Sequence, residues 1–250
     1  MTAQDDNFSL TTSTSYSDNR STAPFSLLPR HFARLRNAHT QLAQQLPECW
    51  CARTSMLSDE EMQDELDRAV QTARSGGIDG DLRIRLNILP SGKPRAEAFP
   101  LTSMPSYPVR LVFDDRQTDY SDPFLRYKTT QRSKYDEARA RNGATLHPSP
   151  DLSDPPFDVI LFNAADEVTE TSISNIAFRF SDDTDAPYIT PRSSCGLLEG
   201  VQRAELLEKG EIVEGVVTVQ QLKDAVRADS VEIICFNGVR GVFKAYIAKE

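Results

Sequence analysis

Three segments carry residue types that could act on one another chemically. Lys128 stands in the run RYKTTQRSKYDEARAR, just after a polar stretch, DDRQTDYSDP (114–123), that reads as a linker. A lysine that begins a helix after a linker can project into an interdomain cleft. Burial there lowers its pKa and favours an imine with an aldehyde. Glu170 lies in EVTETSISNIAF, with Asn175 five residues on. A carboxylate buried beside a pyridine nitrogen would keep that nitrogen protonated and make the ring an electron sink. Gly200-Val201-Gln202-Arg203 opens a helix after a glycine-containing loop. Free amides at the positive end of a helix dipole form a ready phosphate site. Taken singly, each segment has an ordinary reading as well: a solvated lysine, a strand-edge carboxylate, a helix start that binds nothing.

The elements that must position these groups follow from hydrophobic periodicity. FSLTTSTSYS (8–17) reads as a first strand. In 29–46, Phe32, Leu35, Ala38, Leu42 and Leu46 recur at three- and four-residue steps, the stripe of an amphipathic helix. A second helix spans about 58–74, with Ser58 and Glu61 as a capping box and Gly76–Gly77 at its end. Leu82, Ile84, Leu86 and Ile88 alternate with Arg83, Arg85 and Asn87, which predicts a half-buried strand. The turn PSGK returns it through Ala96 and Ala98, and VRLVFDD (109–115) is a further strand. The spacing then predicts a helix over about 128–141, a Pro-rich loop (146–156), and short strands in FDVILFNA, EVTETSISNIAFRF and APYIT. A helix at 200–209, a strand with EGVVTVQQL, a short helix and the strand VEIICFN follow. This is an α+β chain with antiparallel hairpins in its first half. It divides into a smaller N-terminal domain (1–118), a linker (119–127) and a C-terminal domain (128–250).

Composition narrows the function classes. A net charge of −9 argues against nucleic acid or an anionic membrane as the main partner. No apolar run approaches the roughly 20 residues of a membrane span, and MTAQDDNFSL has neither secretory nor transit character. A cytoplasmic protein acting on a small molecule is expected. Cys49, Cys51, Cys195 and Cys235 show no zinc or disulfide spacing, and the three histidines are not spaced as ligands, so no metal is expected.

In order and spacing the three segments together resemble the class IV aminotransferases, which include branched-chain and D-amino-acid transaminases and 4-amino-4-deoxychorismate lyases. HFARLRNA is similar to the family's N-terminal helix, whose arginine (here Arg34) reaches the cofactor phosphate. The likeness covers most of residues 8–247. It implies a two-domain, fold-type-IV architecture like that of D-amino-acid aminotransferase, with pyridoxal 5'-phosphate in the interdomain cleft. It also implies Lys128 as the catalytic residue, and Arg34, Lys128, Glu170, Val201, Gln202, Asn237 and Gly238 as cofactor-binding positions. A homodimer goes with the family.

Within the family the sequence leans toward the lyases, and its C-terminal half resembles a fungal lyase-like branch. Transaminases follow the lysine with a K-x-x-x-N-Y-like run. Here K-T-T-Q-R places Arg132 fourth after the lysine and Ser133 where the tyrosine would stand, near the K-x-x-N-R of the lyases except for Gln131 in place of asparagine. Asn237, Val239, Arg240 and Gly241 fit the lyases' N-x-x-R-G, where branched-chain transaminases have S-G-T-A. The resemblance thus implies cleavage of 4-amino-4-deoxychorismate to 4-aminobenzoate and pyruvate, in folate synthesis, with aminodeoxychorismate synthase as a functional partner. That substrate has two carboxylates, and Arg83, Arg85, Arg132 and Arg240, with Arg110, are candidate contacts. Arg83 and Arg85 share a strand face, which could equally be solvated. A transaminase and a catalytically silent binding protein of the same fold are the alternatives.

Overall fold

The alternating β-pattern of the first half folds as expected. In the computed structural model, which describes residues 6–19, 23–180 and 185–249, β1 (Leu10–Tyr16), β2 (Leu82–Ile88) and β3 (Pro94–Pro100) form an antiparallel sheet in that order. Leu82, Ile84, Leu86 and Ile88 are buried, and Arg83, Arg85 and Asn87 are half-buried between them. Helix α1 (Leu28–Gln45) packs on β1 and buries Phe32, Leu35, Ala38 and Leu42. A short helix, α2 (Trp50–Arg53), leads to α3 (Asp59–Ser75), which packs on β2 and β3. The capping box opens α3 as the sequence predicts: Glu61 N–H donates to Ser58 Oγ at 3.1 Å and Ser58 N–H to Glu61 Oε2 at 2.8 Å.

One expectation is corrected here. The helix predicted from Lys128 begins only at Ser133, as α4 (Ser133–Arg141). Lys128–Thr130 run instead along the outer edge of β1, where Thr11 N–H donates to the Lys128 carbonyl (3.0 Å) and Thr130 N–H to that of Ser9 (2.9 Å). An edge strand has unpaired backbone groups, and β-branched Thr129 and Thr130 suit an extended segment that satisfies them.

Contacts divide the chain into two compact units: residues up to Ser103 with Tyr127–Gln131, and Met104–Arg126 with Arg132 onward. The first therefore stops short of 118 and takes back the segment that pairs with β1. The reason is strand pairing. β4 (Val109–Phe113), expected among the N-terminal hairpins, lies parallel to its neighbours in the second unit's sheet.

Among the described residues that sheet also contains β5 (Asp158–Phe162), β6 (Val168–Thr171), β7 (Asn175–Arg179), β8 (Tyr188–Pro191), β9 (Ile212–Gly215), β10 (Glu232–Asn237) and β11 (Gly241–Ile247). The order is β6-β5-β4-β11-β10-β7-β8-β9. Helices α5 (Val201–Glu208) and α6 (Val219–Arg227) complete the unit. One apolar cluster, with Val109, Leu111, Ile160, Ile176, Phe178 and Cys235 in it, forms much of its core. No helix of the described residues is long and apolar enough to cross a membrane, and no group of three potential metal ligands occurs among them.

Candidate active site

In the first unit, the backbone ladder fixes Lys128 beside β1 and leaves its side chain half-buried. Near it the α1 face carries His31 and Arg34, three residues apart and so on one side of the helix. Arg34 Nη2 donates to Thr12 Oγ1 at 2.8 Å, and that oxygen lies 2.6 Å from His31 Nδ1. Burial pushes the Arg34 guanidinium down to about 10. It also holds His31 well below its ordinary 6.5, with the charges of Arg34 and Lys128 acting the same way. Two polar atoms are buried here without a hydrogen-bond partner: Arg34 Nε and His31 Nε2.

His31 makes stability depend on pH with a definite sign. Its folded-state pKa is depressed, so below 6.5 the unfolded chain binds a proton that the folded chain refuses. That stability is present above 6.5 and is lost as pH falls toward the folded value. His39, lowered mainly by burial, acts in the same sense. Unfolding midpoints taken from about pH 8 down to about pH 5 should fall, and His31→Gln should flatten the slope. An unchanged slope in the variant would remove His31 from this role.

In the second unit, Glu170 on β6 is 3% exposed and receives three named donors. Tyr135 Oη (2.8 Å) and Leu198 N–H (3.2 Å) reach Oε1, and Asn175 Nδ2 (3.3 Å) reaches Oε2. Asn175 Nδ2 also donates to the Leu198 carbonyl (2.8 Å), which ties the loop before α5 to the carboxylate. Tyr135 and Tyr120 stay protonated: burial first, and then the Glu170 charge, raises both well above 10. Helix α5 starts at Gly200, where a Cβ would run into Asn175 Oδ1 and where no side chain caps the helix. The first amide of this turn to bond within the helix is Ala204, on Gly200 O. Val201, Gln202 and Arg203 thus present N–H groups at the positive helix end, with the Val201 side chain itself buried.

The remaining predicted residues take varied positions. Arg83 and Arg85 lie on one face of β2, both over Phe99 (4.9 and 5.8 Å to the ring centre). Arg132 donates to the Ser172 carbonyl at 2.9 Å and stacks on Tyr135. Arg110 is committed to loop carbonyls, among them that of Leu152 at 2.7 Å. Asn237 Oδ1 accepts from Val239 and Arg240 N–H (3.1 and 2.9 Å), which shapes the turn containing Gly238 between β10 and β11. The Arg240 guanidinium lies 5.3 Å from the Phe157 ring centre. The sequence reading did not single out Thr12, His31, Tyr120 or Tyr135, and used Asn175 only as a marker. His31 carried a signal, three residues before Arg34 on the same helix face. Tyr135 carried none while the helix was phased from Lys128.

The sequence matches the amino-transferase class IV family over residues 12–245, and the chain belongs to that family. A Schizosaccharomyces pombe protein named "Putative aminodeoxychorismate lyase" is 27% identical over 225 residues, 88% of this chain and 84% of that protein. Among solved structures, a "Putative amino-acid aminotransferase" from Mesorhizobium loti superposes with a TM-score of 0.76 at 25% identity, covering 97% of this chain and 100% of that one. The 4-amino-4-deoxychorismate lyase of Pseudomonas aeruginosa shares the fold with a TM-score of 0.62 at 20% identity, over 97% of this chain and 83% of that one.

This is a family of pyridoxal-phosphate enzymes, and the residues present fit that group. Lys128 offers an amine, Glu170 a buried acid, and Arg34 a buried Nε still without a partner. The α5 start offers the amides of Val201, Gln202 and Arg203 with no side-chain cap on them, next to Gly200, whose lack of a side chain makes room for Asn175 Oδ1.

Proposed function

We propose that this chain is a pyridoxal-phosphate-dependent lyase that converts 4-amino-4-deoxychorismate to 4-aminobenzoate and pyruvate, supplying a folate precursor. The observation that carries the substrate is the Arg83–Arg85 pair. Neither guanidinium has an ion pair among the described residues, and Arg83, lowered first by burial, is lowered further by the charge of Arg85. Like charges held together and partly desolvated favour an anionic ligand, and this substrate brings two carboxylates. The name of the S. pombe relative and the Asn237–Gly241 pattern support the same reading.

The cofactor, when bound, supplies an electron sink for a carbon that loses its proton. Lys128 would hold it by its aldehyde, Glu170 would keep the ring nitrogen protonated, and Arg34 with the first amides of α5 would take the phosphate. Lys128 Nζ would then act as the base that takes the proton from the amine-bearing ring carbon. The C–O bond to the enolpyruvyl group then breaks, with its electrons going to oxygen. Lys128 returns the proton to the enolpyruvyl methylene carbon, so pyruvate leaves and the ring becomes aromatic. A homodimer and a synthase delivering the substrate belong to this proposal, as does residence in the cytoplasm.

The second reading is a class IV aminotransferase acting on branched-chain or D-amino acids or amines, favoured by the closer superposition on the M. loti structure. The deciding experiment gives the purified chain pyridoxal phosphate and 4-amino-4-deoxychorismate and quantifies products. Equal amounts of 4-aminobenzoate and pyruvate support the lyase. Their absence, with amino-group exchange between an amino acid and a 2-oxo acid, supports the transaminase. With neither activity, the chain is a binding protein on this fold.

The arginine pair gives a further expected result. Arg83→Leu with Arg85→Leu should lower kcat/KM at least about tenfold, mainly through KM, because charge-assisted contacts to carboxylate are lost. An unchanged KM would return these residues to a solvated strand face.

A further inference from the structure

The hydroxyl of Thr12 joins two side chains that the cofactor reading treats very differently. It is buried, touches His31 Nδ1 at 2.6 Å and accepts from Arg34 Nη2 at 2.8 Å. A threonine hydroxyl has one proton to give and two lone pairs. If His31 Nδ1 carried a proton, Thr12 would accept twice, and its own proton would be buried with no acceptor. Thr12 donating to Nδ1 gives both the Thr12 proton and the Arg34 Nη2 proton an acceptor, and it places the His31 proton on Nε2, which is buried without a partner among the described residues.

We infer that Thr12 and His31 are positioning residues for Arg34. His31 draws the Thr12 proton to one side, the opposite lone pair receives Arg34, and the guanidinium is fixed for an anionic phosphate. This rests on the reading of Arg34 as a phosphate ligand. The geometry suits the role. Thr12 is pinned on β1 opposite Leu86, while His31 and Arg34 share a face of α1, so a strand and a helix together set one guanidinium. Arg34 Nε, buried and without a partner, is left as a donor for the ligand. The relay needs a neutral imidazole, because a proton on Nδ1 would reverse it. Burial, with Arg34 and Lys128 beside it, keeps His31 in that form.

The test compares pyridoxal phosphate with pyridoxal, which has no phosphate, as ligands of the cofactor-free chain, measured by equilibrium titration. Thr12→Val keeps the side-chain shape and removes the hydroxyl. It should weaken pyridoxal phosphate about tenfold to a hundredfold and change pyridoxal by no more than about twofold. Thr12→Ser should restore the phosphate-dependent affinity. An equal loss for both ligands would make Thr12 a structural tie between α1 and β1, and failure of Thr12→Ser to rescue would exclude the hydroxyl. Unchanged binding in Thr12→Val also overturns the inference. If the natural chain itself binds both ligands equally, the assignment of Arg34 to the phosphate fails and takes the inference with it.

Discussion

Lys128→Ala should abolish turnover, by on the order of 10⁴-fold or more, and remove the imine absorbance expected of the natural chain loaded with pyridoxal phosphate. The effect is this large because the same Nζ holds the cofactor and moves the proton, so no neighbouring step survives its loss. The fold should be unaffected. The residue 128 carbonyl accepts from Thr11 N–H at 3.0 Å, a backbone bond to β1 that alanine keeps. The substitution also has a local electrostatic signature. Lys128 is one of the charges that depress His31, after burial and Arg34, so its removal should raise the His31 pKa part of the way toward 6.5. A His31 titration followed by NMR would see this even where catalysis is silent. Retained turnover in Lys128→Ala would remove the residue from the chemistry.

Glu170→Gln should cost both stability and rate. The carboxylate is 3% exposed and takes donors on both oxygens: Tyr135 and Leu198 on Oε1, Asn175 on Oε2. Glutamine offers one oxygen and one NH₂. With its oxygen toward Tyr135 and Leu198, the NH₂ faces the Asn175 amide donor to donor. The expected loss is about 1–3 kcal/mol in denaturant unfolding. Turnover should fall on the order of 10²- to 10⁴-fold, because a neutral amide cannot hold a proton on the cofactor ring nitrogen. Near-natural turnover would show that the carboxylate serves the network of Tyr135 and Asn175 and has no part in the reaction.

The elements read most directly were those whose pattern is local. The α1 stripe and the Ser58–Glu61 box repeat or cap at short range, and both stand where the sequence put them. The β2 alternation does too, down to the two arginines on one face. Pairings between distant segments were not legible. The polar run after residue 114 resembled a boundary, yet β4 before it belongs with β5 and β11, more than forty residues and more than a hundred residues away, respectively. Lys128 looked like a helix start because it follows directly on the polar run DDRQTDYSDP (114–123). The open edge of β1, over a hundred residues earlier, draws 128–130 into an extended ladder instead. EGVVTVQQL was read as one strand, but Thr218 caps a helix through Gln221 N–H and ends the strand at Gly215. The site shows the same division. Lys128, Glu170 and the α5 start were visible as residue types in order. Tyr135 and Asn175, which bond Glu170, and Thr12, which bonds Arg34, come from other elements and needed the fold.

The most direct test of the central claim, that Lys128 is where this chain holds its cofactor, is borohydride reduction of the pyridoxal-phosphate-loaded protein followed by peptide mapping. The account predicts a single pyridoxyl modification on Nζ of Lys128. Modification of a different lysine, or none at all, would contradict it.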